Sequence, residues 1–297
     1  MITPEQTVDA MNEAFGKHPH HRALHAKGLV ATGTFTATPE AAGLTRAAHM
    51  SGTPVPATVR VSNGGGDPTV PDYAPDVRGL ATAFALPDGS RAVISAQTVP
   101  RFVVTSPDAF VAMVRALHPG PAQVWRLPAF AARHPAFVTS LPTNAKALRP
   151  TASYATVPYY GVHAFRWIAA DGSSRFVRYT WTPDAGEQRI SGKQARRGGP
   201  DYLGTEFRNR VAAGPVGFTL SVQIAGDGDD PADPSTPWPA SRQTVTVGRL
   251  QITAIAEEPG VLVFDPTTVP DGIELSDDPI LRFRAKAYTV SVDRRLA

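Results

Sequence analysis

Arg284 and Tyr288 stand four residues apart in a segment that Asp278-Pro279 opens as a helix running to the chain end. At that spacing two helical side chains share a face. Arg295 recurs seven residues further along it. A tyrosine flanked by arginines is ordinarily a surface cation–π or packing arrangement. The same geometry also holds a guanidinium against a phenolic oxygen and favours its anionic form. A phenolate is a hard ligand suited to ferric iron.

His25 is the second candidate. It lies in Arg22-Ala23-Leu24-His25-Ala26-Lys27-Gly28, at the mouth of a strand and beside apolar neighbours. A lone histidine of this kind is usually a satisfied structural residue; its chemical alternative is proton transfer near neutral pH.

Other motifs carry less. His18, His20 and His21 could bind a metal, but no carboxylate or cysteine stands at ligand spacing, so they read as a polar surface turn. Gly64-Gly65-Gly66 lacks the Lys-Ser/Thr ending of a phosphate loop and reads as a loop with unusual backbone angles. No Gly-x-Ser-x-Gly elbow occurs. The absence of cysteine removes disulfides, thiolate metal sites and a cysteine nucleophile. The net charge of +3 is too small to imply nucleic acid, and the densest basic group is only Lys193, Arg196 and Arg197.

These residues need a scaffold. A chain of 297 residues with 42% apolar content can build one large β-rich domain or two ordinary ones. Thr3-Pro4-Glu5-Gln6 is a capping box, and Val8, Met11, Ala14 and Phe15 continue at helical spacing to about Gly16. Strands follow at 29–35, 57–62, 79–86 and 92–95. Ser106-Pro107-Asp108 caps a helix to about Leu117, and 121–148 reads as mostly helical, broken by Pro128, Pro135 and Pro142. A hairpin at 163–168 and 175–181 turns at Asp171-Gly172. A helix at 202–213 and strands around Phe218–Ile224 and Val245–Ala256 come next, with a loop rather than a linker at 226–241. The pattern predicts an α+β fold, an antiparallel β-barrel with packed helices, forming a single domain over 1–297. The first six residues show no basic start and no apolar run, and no apolar stretch reaches membrane length. A cytoplasmic protein without a membrane partner is the default expectation.

Several segments, in order, resemble the catalase family, and within it the small catalase-related peroxidases. Arg22-x-x-His25-Ala-Lys-Gly resembles the segment with the distal histidine, and Val59-Arg60-Val61-Ser62 the strand after it. Asp76-Val77-Arg78-Gly79 resembles the Asp-Pro-Arg-Gly turn, with valine for proline. Thr98-Val99-Pro100-Arg101-Phe102 and Pro107-Asp108-Ala109-Phe110 keep the family's phenylalanine spacing. Phe264-Asp265-Pro266, Pro270-Asp271-Gly272-Ile273-Glu274 and Arg284-x-x-x-Tyr288 resemble the run into the proximal helix.

The resemblance implies a catalase core without the long N-terminal arm and C-terminal helical domain of the large enzymes. It implies haem b as cofactor, with Tyr288 ligating the iron and Arg284 stabilising its charge. His25 becomes the distal acid–base, oriented by Ser62. Arg22, Arg60 and Arg295 would hold the propionates, and Phe102 and Phe110 would pack on the haem side and keep the site dry. Counting back from Pro100, Gln97 stands where catalases place a distal asparagine. That departure predicts peroxidase above catalase activity. The expected reaction is reduction of hydrogen peroxide or organic hydroperoxides by an organic electron donor. The alternatives are a fatty-acid hydroperoxide isomerase on the same fold and a non-catalytic haem-binding protein. No nucleic acid partner is expected, and a monomer or homodimer.

Overall fold

Period-two alternation and antiparallel register build the centre of the molecule. The computed structural model describes residues 2–118, 120–259 and 262–296. Helix α1 (Pro4–Phe15) precedes β1 (Gly28–Ala37) and the short α2 (Pro39–Ala42). The meander β2 (Val55–Asn63), β3 (Arg78–Ala85) and β4 (Arg91–Gln97) leads into α3 (Pro107–Leu117), α4 (Gln123–Arg133) and α5 (Pro135–Ala145). Strands β5 (Tyr159–Tyr160), β6 (Phe165–Ile168) and β7 (Ser174–Pro183) follow, then α6 (Gly192–Arg197) and α7 (Tyr202–Ala213). Last come β8 (Val216–Ile224), β9 (Thr244–Ala256), β10 (Ile273–Leu275) and α8 (Pro279–Leu296).

The order β7-β5-β4-β3-β2-β1-β9-β8, with β8 pairing back onto β7, closes eight antiparallel strands into a barrel. Strand β6 pairs with the start of β7 and carries β10. In β8, Phe218, Leu220 and Val222 are fully buried while Gly217, Thr219 and Ser221 are only half-buried, as the pleat requires. Inside, Phe35 meets Phe84 at 4.9 Å between ring centres and Trp181 edge-on at 6.1 Å. Each such side chain contributes about 1.5–3 kcal/mol by leaving water.

The opposite face of β2, β3 and β4 matters for function. Register places Ser62 opposite Gly79 and Gly79 opposite Gln97. The next rung on that face aligns Arg60, Ala81 and Ser95. Helices α1, α3 and α8 pack on one another over this outer wall.

The capping box at Thr3 and the Ser106 cap form as expected. The prolines need correction. Pro135 begins α5, but Pro128 and Pro142 lie inside α4 and α5 and do not break them. Each forfeits one backbone hydrogen bond. Both rings are exposed, and Phe130 packs on Phe137 at 5.3 Å, so packing between the helices outweighs the local cost. The segment 226–241 is a loop pinned to the barrel: Arg178 donates to Thr236 O at 2.7 Å and covers the Trp238 ring at 4.3 Å. Helices α2 and α6 and strands β5 and β10 were not anticipated, being too short to show a period.

Candidate active site

The first turn of α8 supplies one side of the site. Asp278 Oδ1 accepts from the Ile280 amide at 2.8 Å, satisfying a free helix N–H. Its Oδ2 lies 2.6 Å from His163 Nδ1. The other ring nitrogen, Nε2, lies 3.2 Å from Arg284 Nη1, and Arg284 Nη2 donates to Tyr288 Oη at 3.0 Å. Four side chains thus form one chain of contacts. With Asp278 accepting from Nδ1–H, Nε2 is left bare to accept from the guanidinium. Burial holds the His163 imidazole below its usual pKa, against the opposing pull of Asp278. That favours a neutral ring, which the Arg284 contact requires. Of the four, the sequence reading found Arg284 and Tyr288 only. Asp278 was noted as a helix cap, and nothing local marks His163, 115 residues before it.

His25 stands on the barrel side. Its backbone is left-handed, with φ of 55°, which is uncommon for a residue with a side chain. Its N–H donates to Gly64 O at 3.0 Å, and its carbonyl accepts from Arg60 Nη1 at 2.8 Å. Its Nδ1 lies 3.0 Å from Ser62 Oγ. The ring rests over Gly79, where a Cβ would come within 2.9 Å of both the imidazole and Ser62 Oγ. Burial, then the charges of Arg60, Arg284 and Arg22, pushes the imidazole pKa down to about 3. The ring is therefore neutral at pH 7.

The glycine run has a different cause from the one expected. None of Gly64, Gly65 and Gly66 has a positive φ. The segment is instead in close approach: a Cβ on Gly66 would run into the Ala23 carbonyl, and one on Gly64 into Val77. The carbonyls of Gly64 and Gly65 receive the amides of His25 and Ala26. The run is the bed on which the histidine segment lies.

Arg22, Arg60 and Arg295 gather at one end. Arg22 pairs with Glu258, and Arg60 Nε donates to the other oxygen of that carboxylate at 3.1 Å. Arg22 and Arg295 both donate to Leu262 O, at 2.8 and 3.3 Å. Burial lowers the Arg22 pKa to about 9 and that of Arg60 to about 10, and neighbouring guanidinium charge adds to the effect. All three stay charged at neutral pH, and the Glu258 carboxylate bridges two of them, Arg22 and Arg60. Glu258 was not singled out from the sequence; a carboxylate beside the site arginines can be found only once the fold brings β9's exit against Arg22.

Gln97 lines the cavity at the end of β4, opposite Gly79. Phe102 and Phe110 stack with centres 6.2 Å apart, and Phe102 lies 5.9 Å from the His163 ring, on the α8 side. All ten residues singled out in the sequence line one cavity, whose empty space, mouth included, is about 1460 Å³. Val8, Met11, Phe283 and Ala287 complete an apolar wall. The donor set suits a flat, apolar group bearing carboxylates and a ferric centre: a phenolic oxygen braced by a guanidinium, three arginines at one end, and stacked aromatic rings.

An eight-stranded antiparallel barrel with a tyrosine-bearing helix across its outer wall is a catalase-type architecture. The catalase family profile matches residues 6–297. The chain is 48% identical to a catalase-related peroxidase of Mycolicibacterium paratuberculosis, over 99% of this chain and 95% of that one. It is 33% identical to a catalase-related peroxidase of Synechococcus elongatus, over 99% and 89%. A fungal catalase crystal structure superposes with a TM-score of 0.82, covering 98% of this chain and 62% of the other, at 22% identity. That last likeness concerns the fold alone. The chain belongs to the catalase family.

Proposed function

We propose that the protein is a haem-dependent peroxidase that reduces hydrogen peroxide or organic hydroperoxides. The observation that carries this reading is the pairing of two constellations on one cavity: Arg284–Tyr288 at 3.0 Å on α8, and His25–Ser62 at 3.0 Å on the barrel wall. The names of the two catalase-related peroxidases above support it.

Haem b, when bound, would supply the iron and the two-electron redox chemistry. Tyr288 Oη would hold the iron, with Arg284 donating a hydrogen bond to that oxygen. Arg22, Arg60 and Arg295 would hold the propionates. His25 Nε2 is the acid–base atom, because Nδ1 is committed to Ser62. In the tautomer that donates from Nδ1, Nε2 carries a lone pair for the peroxide proton. Burial and the neighbouring arginines, which hold the ring below its usual pKa, favour giving that proton up again. The ring would hand that proton on to the second peroxide oxygen. Gln97 has the amide to orient peroxide but a longer stem than asparagine, which loosens the pocket. A looser pocket favours reduction by an outside organic donor over reduction by a second peroxide.

The left-handed backbone of His25 favours an enzyme over a haem carrier, since strain of this kind concentrates where a side chain must be aimed. The test is the visible spectrum after hemin addition, followed by peroxide assays. A ferric tyrosinate spectrum is expected in the wild type and not in Tyr288→Phe, and His25→Ala should keep haem but lose peroxide reactivity. No haem uptake would overturn the reading. Hydroperoxide consumption without any donor, yielding an isomer, would replace peroxidase with isomerase.

A further inference from the structure

Six of the eight large apolar side chains exposed among the described residues fall within 32 positions: Leu117, Val124, Trp125, Val138, Leu141 and Leu148. Scattered single apolar residues on a surface need no explanation, but four of these six lie on the consecutive helices α4 and α5, and such a cluster does. Trp125 is 80% exposed, whereas Trp167, Trp181 and Trp238 are buried.

The charge pattern of the same region is one-sided. From residue 109 to residue 170 the chain has no aspartate or glutamate, and it has six lysines and arginines. Of these, Arg115, Lys146 and Arg166 are matched by Glu13, Glu187 and Glu274 from elsewhere in the chain. Arg126, Arg133 and Arg149 have no carboxylate at ion-pair distance among the described residues. On α4, Trp125, Ala129, Ala132 and Arg133 recur at helical spacing and are all exposed. The turn of α5 that carries Val138 and Leu141 is bound to the body of the protein. Thr139 O accepts from Arg101, and Asn144 donates to Arg101 O, one residue before Phe102 of the cavity wall. The exposed apolar turn of α5 is therefore a built part of the surface.

We propose that the α4–α5 face is a docking surface for an anionic lipid bilayer. An exposed tryptophan, short aliphatic side chains and arginines without acids are the composition of a helix lying in a membrane interface. Charge complementarity selects the occupant. A second copy of this chain packed symmetrically on the face would set its arginines against their own images. An anionic headgroup layer matches them, at about 1 kcal/mol per basic residue near the surface. No helix among the described residues is long and apolar enough to cross a membrane, and docking of this kind needs none. The proposal revises the expectation of no membrane partner, which rested on spans alone. It does not depend on the haem reading.

The experiment uses the full chain and vesicles of phosphatidylcholine with and without phosphatidylglycerol, at low and high salt. Because only Trp125 is exposed among the tryptophans, a blue shift in emission reports its insertion directly. Co-flotation and a blue shift with phosphatidylglycerol vesicles, weakened by salt, are expected. Trp125→Ser should lose the shift and most of the binding. Arg126→Gln should weaken binding about fivefold. Both variants should keep the wild-type hemin spectrum and melting temperature. Absence of binding to anionic vesicles at low salt would overturn the proposal. So would a dimer in solution that shields Trp125 without lipid, or equal binding to uncharged vesicles that Arg126→Gln leaves unchanged.

Discussion

Asp278 reaches His163 at 2.6 Å with one carboxylate oxygen while the other caps the helix that carries Tyr288. One side chain thereby fixes both the start of α8 and the orientation of the face that carries Arg284 and Tyr288. The imidazole passes that constraint to Arg284, and Arg284 passes it to the phenolic oxygen.

His163→Leu should unfasten this chain. It leaves Asp278 Oδ2 and Arg284 Nη1 without their partner, and Asp278 is fully buried. Removing one member of a buried polar pair costs roughly 3–5 kcal/mol. Urea unfolding should show a loss of about that size, and His163→Gln should recover part of it. The hemin complex of the leucine variant should also have an altered tyrosinate band. Unchanged stability and spectrum would mean that the contacts do no positioning.

Gly79→Ala tests the seat of His25. The new methyl group would sit 2.9 Å from the imidazole and from Ser62 Oγ, closer than real contacts allow. The ring must tilt or give up Ser62. Misplacement of a catalytic group by about 1 Å costs on the order of 100-fold in rate. We expect peroxide turnover to fall by about that factor, with hemin uptake retained and roughly 1–3 kcal/mol of stability lost to overpacking. Wild-type turnover in this variant would remove His25 from the proton-transfer role.

His49 sets an acid limit on folding. It is buried in the barrel, stacked on Phe84 with centres 4.9 Å apart, and its Nδ1 has no hydrogen-bond partner among the described residues. Burial pushes its pKa down to about 4, against 6.5 for a free imidazole. The unfolded chain therefore binds the proton between those values and the folded chain does not. This contribution to stability is complete above pH 6.5 and lost as pH falls to about 4, on the order of 3 kcal/mol in all. His49→Phe should flatten that part of the stability–pH curve. An identical slope in wild type and variant would show that His49 is not the titrating group.

Much of the fold was legible because its signals are local. The Thr3 capping box, the Phe218–Val222 alternation and the Asp171-Gly172 turn each sit within a few residues of the element they define. Pro128 and Pro142 misled for the same reason. Their cost is local, but the contact that offsets it joins Phe130 to Phe137 across two helices. The glycine run misled differently: a requirement for space, imposed by Ala23 and Val77, looks in sequence like a requirement for backbone freedom.

The candidate site divides along the same line. Residue types and short spacings determined that Arg284 and Tyr288 share a helical face and that His25 precedes a strand, and a resemblance of ordered segments pointed to the catalase family. Only the tertiary structure decided what faces them. Pairing of β2, β3 and β4 set the register that lines up Ser62, Gly79 and Gln97 on one rung, and the docking of α8 brought Asp278 to His163. The exit of β9 put Glu258 between Arg22 and Arg60. Each of these pairings spans residues far apart in the chain. It exists only after the loop between them has closed, and no local pattern of residue types records which distant partner will be met.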